Sequence, residues 1–142
     1  WNASATAANY YVKRSTTSGS GYVNIATNAS LTFTNASLAN GTLYYFVVSG
    51  VNASGEGANS TQVSARPTSL APTQLGYANA GNQLQLNWPV DHTGWLLQSQ
   101  TNGLAIGLGT NWNNVTGSDQ TNQVSAPFNP AHGAVFFRLV RP

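Results

Sequence analysis

Nine short runs of this chain carry a period-two alternation of side chains: NYYVKRST, GYVNIAT, LTFTNAS, TLYYFVVSGV, TQVSARP, QLQLNWP, GWLLQSQT, TNQVSAPF and AVFFRLV. An extended backbone points successive side chains to opposite faces, so each run can bury one face and wet the other. No window sustains a helical period, and clusters of Gly, Asn and Ser break the runs at the spacing of antiparallel strands joined by turns. The chain is therefore expected to be all-β. Residues 66–73, RPTSLAPT, carry two prolines and no alternation. They predict a first domain over 1–67, a linker over 68–73 and a second domain over 74–142.

The two halves repeat a common order. In the first, Trp1 is followed by NYYVKRST, YVNIAT, LTFTNAS and NGTLYYFVV. In the second, Trp88 is followed by GWLLQSQT, WNNVTG, TNQVSAPF and HGAVFFRLV, with Gly41 answered by Gly133. Each half thus offers a Trp, an aromatic-led strand, a short strand, a return strand and an aromatic strand introduced by Gly.

That order resembles the fibronectin type III family, a β-sandwich of two antiparallel sheets. On that resemblance Trp1 stands where strand B ends, YYVKR is similar to strand C, NGTLYYFVVSGVNASGEG to strand F with its loop, and STQVSARP to strand G. The second half also resembles the short modules that close many secreted bacterial proteins, through GLGTNW and VFFRL. The fold implied is two tandem fibronectin type III-like β-sandwich domains. Beginning at Trp1, the first would lack its N-terminal strands A and B; the second would lack strand G. The family implies adhesion, spacing or assembly more often than catalysis, and no Arg-Gly-Asp triplet is present to carry over integrin binding.

Alternation assigns the faces. Tyr10, Val12 and Arg14 share one side of the C-like strand, and Tyr44, Phe46, Val48 and Gly50 form the inward set of the F-like strand. The resemblance gives Tyr44 the role of corner tyrosine, its ring in the core and its hydroxyl on nearby backbone. In the second half Val135, Phe137 and Leu139 are placed inward, because the opposite register would bury Arg138 unpaired. Trp1, Trp88 and Trp95 are read as core. Tyr11, Lys13, Tyr45 and Val47 then lie on the outer face as an exposed patch of the kind that marks an interface. Leu31 and Phe33 on the return strand would have no sheet partner, so a neighbouring subunit is expected to supply a segment from near a terminus that pairs around 31–35.

Only eight residues are charged, Lys13, Arg14, Arg66, Arg138 and Arg141 against Glu56, Asp91 and Asp119, where about a quarter is usual. The basic residues are scattered and leave no nucleic-acid footprint. Cysteine is absent, which removes disulfides and thiolate metal sites. No apolar run approaches the roughly 20 residues of a membrane-spanning helix, and no signal leader opens the chain, so an exported form would be the mature part.

Three acids and two histidines leave few acid and base pairs for catalysis. Asp91, His92 and His132 near turns are the one weighed metal or triad set, set aside in favour of polar loop residues. No nucleophile elbow occurs. GLAIGLG, residues 103–109, has glycine spacing but neither a Lys nor a following helix, and reads as a flexible turn rather than a phosphate loop. No catalytic residue, metal or cofactor is assigned. Trp112 is the one tryptophan left to stack on a sugar ring.

Charge being scarce, something else must hydrate the surface. Seven Asn-x-Ser/Thr triplets, at Asn2, Asn28, Asn35, Asn40, Asn52, Asn59 and Asn114, are about twice what the composition alone gives. Most fall in expected loops or strand ends, where attached glycans project without breaking a ladder. The sequence thus reads as a secreted or cell-surface, glycosylated structural protein that self-associates head to tail into a filament or array. The alternative is an accessory spacer or carbohydrate-binding segment of a larger secreted enzyme.

Overall fold

A computed structural model describes residues 1–129 and 131–142. Among these the chain is all-β, its helical pieces being two three-residue 3-10 turns, Val90–His92 and Ser118–Gln120. Its contacts divide it into two compact units, Trp1–Arg66 and Pro67–Pro142.

The first unit is built on β1 (Asn9–Ser15), β2 (Val23–Asn28), β3 (Tyr44–Asn52), β4 (Gly55–Asn59) and β5 (Val63–Ala65). All five belong to one antiparallel sheet, in the order β2-β1-β3, with β4 and β5 sharing the far edge of β3. Between them Ser60 continues the edge, its amide donating to the Val48 carbonyl at 2.7 Å and its hydroxyl accepting from the Val48 amide at 3.0 Å. The register sets Tyr10 opposite Gly50, Val12 opposite Val48 and Arg14 opposite Phe46. The expected inner face is therefore real: the C-like and F-like strands are neighbours with these residues on one side. Tyr44 is buried, and the Ala39 amide donates to its hydroxyl at 3.1 Å, the corner the resemblance implied.

LTFTNAS forms no strand, contrary to its alternation. The second unit shows why. There the return run is β10 (Gln123–Pro127), and it is a strand because it pairs with β7 (Gln83–Asn87), which also pairs with β6 (Gly76–Ala80). The first unit has no counterpart of β6 and β7 among its described residues, so 29–43 has no ladder to join. Trp1 is likewise exposed rather than core, lying against Tyr10 with ring centroids 5.9 Å apart.

The second unit has two three-stranded sheets. One is β10-β7-β6; the other is β11-β8-β9, from β8 (Leu96–Asn102), β9 (Asn113–Asn114) and β11 (Ala134–Val140). The order β11-β8-β9 repeats β3-β1-β2, so the repeat read in the sequence is a repeat of sheet topology. Leu86, Trp88 and Leu97 form the buried core, packed by Leu75, Leu84, Val115, Val124, Phe137 and Leu139. Phe137 and Leu139 point inward as expected, Arg138 is exposed, and Val135 lies at an uncovered end of its row. Trp95 is buried too.

The expected linker is not a free linker. The Ser69 amide donates to the Asp91 carbonyl at 2.8 Å, and the Trp95 indole N–H donates to the Ser69 carbonyl at 3.1 Å. A polar clasp fixes 69–71 to the turn at 91–95, so this segment is part of the second unit.

Candidate functional site

The outer face of the first sheet is where Tyr11, Lys13, Tyr45 and Val47 were expected to form an exposed patch. Tyr11 and Tyr45 are half-buried, and Val47 is only 4% exposed. Lys13 stands directly opposite Val47 on β1, and its ammonium pairs with Glu56 and donates to Asn59 Oδ1 at 2.8 Å. Since Glu56 and Asn59 lie on β4, beyond β3, the lysine stem must cross β3 over Val47 and Ser49. Glu56 also accepts from the Ser49 hydroxyl at 2.6 Å, and these donors, Lys13 first, hold its carboxyl below its ordinary range. The face is a closed polar lid, and the sequence could not show it because the partners are more than forty residues apart.

The inner face has the opposite character. Residues 1–8 cover one part: the Tyr10 hydroxyl accepts from the Ser4 amide at 2.8 Å, and Ala7 packs so close to Gly50 that an added Cβ would stand 3.0 Å from it. The same segment, from Trp1 to Ala7, lines a cleft of about 830 Å³ together with Tyr10, Phe46, Val48, Val63 and the mostly polar stretch 54–61. Val63, Leu31 and Phe33 are exposed, while Phe46 and Val48 are half-buried. In the second unit the corresponding face of β8 and β11 packs against core residues of the β10-β7-β6 sheet.

The seven sequons differ in how their amide nitrogens are held. Asn28 donates Nδ2 to the Thr32 carbonyl at 2.6 Å, and Asn52 donates to that of Thr6 at 3.1 Å. Asn35 Nδ2 is buried without a partner. Asn2, Asn40, Asn59 and Asn114 are exposed, and the last two engage through Oδ1, with Lys13 and with Gln98.

Trp112 is half-buried, and the Arg138 guanidinium lies over its ring, 4.2 Å from the centroid. That stack occupies one indole face, so Trp112 is not an open two-sided platform for a sugar. His132 is bonded to Asn129 and exposed, whereas His92 is buried. His92 Nδ1 faces Asp91 Oδ1 at 2.7 Å and Nε2 faces the Ala71 carbonyl at 2.8 Å. Both partners accept only, so both ring nitrogens must donate and the imidazolium is favoured. The Ala71 carbonyl, then Asp91, raise the pKa above its ordinary value, while burial opposes them. This group is the clasp on 69–71. Among the described residues no three His, Asp or Glu side chains approach closely enough to hold a metal.

The loop at 103–109 was read from the sequence as a flexible turn. Leu104, Ile106 and Leu108 are 81%, 72% and 66% exposed, yet the base of the loop is tightly bonded. Gln100, 1% exposed, accepts from the Gly109 amide at 2.7 Å and donates to the Gly109 carbonyl at 3.2 Å. Asn102 donates to Gln100 Oε1 at 2.7 Å and to the Gly107 carbonyl at 2.6 Å. The loop is framed by buried amides rather than being a flexible turn. The available signal was the pair of amide side chains at Gln100 and Asn102, two apart on one face beside a glycine-rich loop.

No protein-family model matches this chain, and no curated protein matches it. Among solved structures it is similar to the crystal structure of the FN1–FN3 domains of chicken CNTN1, at 16% identity and a TM-score of 0.32. The match covers 94% of this chain and 56% of the other, so the chain spans little more than half the length of that structure. The all-β assignment rests on the strand ladders themselves.

Proposed function

We propose that this chain is a non-catalytic structural protein of the extracellular space, whose copies associate head to tail. One observation carries this reading: the first unit is a single sheet whose inner face is left partly uncovered. Fully burying such a side chain gains roughly 1.5 to 3 kcal/mol over leaving it exposed, and with Leu31 and Phe33 exposed and Phe46 and Val48 half-buried a part of that is forfeited at each, against a domain stability of about 5 to 15 kcal/mol. A partner surface over that face recovers part of this. Where that face is covered by a different surface of the next copy, the contact joins unlike surfaces, and such contacts propagate unless they close into a ring. Scarce charge and the exposed sequons at Asn40 and Asn114, which do not line the inner-face cleft, support attached glycans as the hydrating layer. Negative-stain electron microscopy of purified chain tests the assembly. Filaments or open arrays are expected; dispersed single particles at every concentration would overturn it.

A further inference from the structure

Resting on the self-assembly reading, we propose that the loop 103–109 of one copy plugs the inner-face cleft of the first unit of another copy. The loop displays Leu104, Ile106 and Leu108 with only glycine and alanine between them, so its backbone can approach a surface closely. It carries no charge, and neither does any residue from 93 to 118. Trp1, Tyr10, Phe46, Val48 and Val63 give the cleft an apolar and aromatic part, beside uncharged polar side chains such as Asn52 and Thr61, and the one acid that lines it, Glu56, is already paired with Lys13. A volume of about 830 Å³ lies in the range that encloses a drug-sized molecule, comparable to three aliphatic side chains and the backbone bearing them.

Preorganisation is the second argument. Large aliphatics this exposed are ordinarily a liability, and a loop framed by a buried glutamine and by Asn102 presents them without further ordering cost. The close approach of the chain at Gly133 adds to the frame: a Cβ there would stand 2.9 Å from the Leu104 amide nitrogen. One copy thus offers an apolar projection and also a cleft that is in part apolar. The two are different surfaces, so each copy donates to one neighbour and accepts from another.

The absence of native cysteine makes the test clean. Copies carrying Ile106→Cys are mixed with copies carrying Val63→Cys under mild oxidation, and a disulfide-linked dimer containing one of each is expected. The double variant should give a ladder on a denaturing gel. Filaments that form without this cross-link would overturn the docking while leaving the assembly reading intact; the absence of any assembly in the parent chain would overturn both. An internal disulfide in the double variant, with no ladder, also overturns it. Independently, Leu104→Ser, Ile106→Ser and Leu108→Ser each remove an exposed side chain, so thermal unfolding should be unchanged. Each should weaken association about tenfold by sedimentation. Unchanged sedimentation with lost adsorption to phosphatidylcholine vesicles would make the loop a membrane contact and refute the proposal.

Discussion

Gln100→Leu is the sharpest probe of the loop frame. Leucine is close to glutamine in size but makes none of its three hydrogen bonds, to the Gly109 amide and carbonyl and from Asn102. Each bond contributes about 0.5 to 1.5 kcal/mol net, so the loop should lose roughly 2 to 4 kcal/mol against local opening. Gln100 lies opposite Phe136 in the central pairing of β8 with β11, and an apolar replacement keeps that ladder. Native-state amide exchange reads the local free energy directly. The Gly109 and Ile106 amides should exchange on the order of 30-fold to several hundredfold faster, while the Leu97 amide, bonded to the buried Ser118 hydroxyl, should be unaffected. If Gly109 protection is unchanged, the frame is not what orders the loop. Self-association should weaken in the same variant although all three aliphatics remain.

Three further outcomes follow from the geometry. His92 has its pKa raised in the folded state, so its contribution is fully present below the unfolded value near 6.5 and is lost as pH rises through the higher folded value. The melting temperature should therefore fall from mildly acidic toward alkaline pH, and His92→Gln should flatten that dependence; identical slopes would contradict the clasp. Tyr44→Phe keeps the buried ring and removes the bond from the Ala39 amide, lowering stability by about 1 kcal/mol in urea titration, where no change would deny the corner a role. Glycopeptide mapping of native material should find Asn40 and Asn114 occupied and Asn35 bare; full occupancy at Asn35 would contradict its buried amide.

Strands that are central in their sheets were legible because alternation there follows burial: β1, β3, β7 and β8 all fall on predicted runs. The edge strands GEGAN and GYANA were invisible, being mostly Gly, Ala and Asn held by backbone pairing with little side-chain signal, whereas β9 fell within the expected short strand WNNVTG. LTFTNAS failed the other way. Alternation states which faces a strand would have, but a strand exists only where another backbone can pair with it. The misassigned Val47 has the same origin, since local alternation cannot report that Lys13 reaches across β3 to Glu56 from another hairpin. The corner role of Tyr44 came from the family resemblance, and the bond it implied is found, from the Ala39 amide to the Tyr44 hydroxyl. The amide frame of 103–109 was missed because a Gln and an Asn at the end of a strand look like any polar termini until their burial is known.

Sedimentation velocity across a wide concentration series of the unmodified chain bears most directly on the central claim. Head-to-tail association through an uncovered sheet face predicts a weight-average coefficient that climbs continuously with concentration and does not settle at a dimer. A single monomer coefficient maintained from the most dilute to the most concentrated sample would show that the open face needs no partner, and would contradict the account.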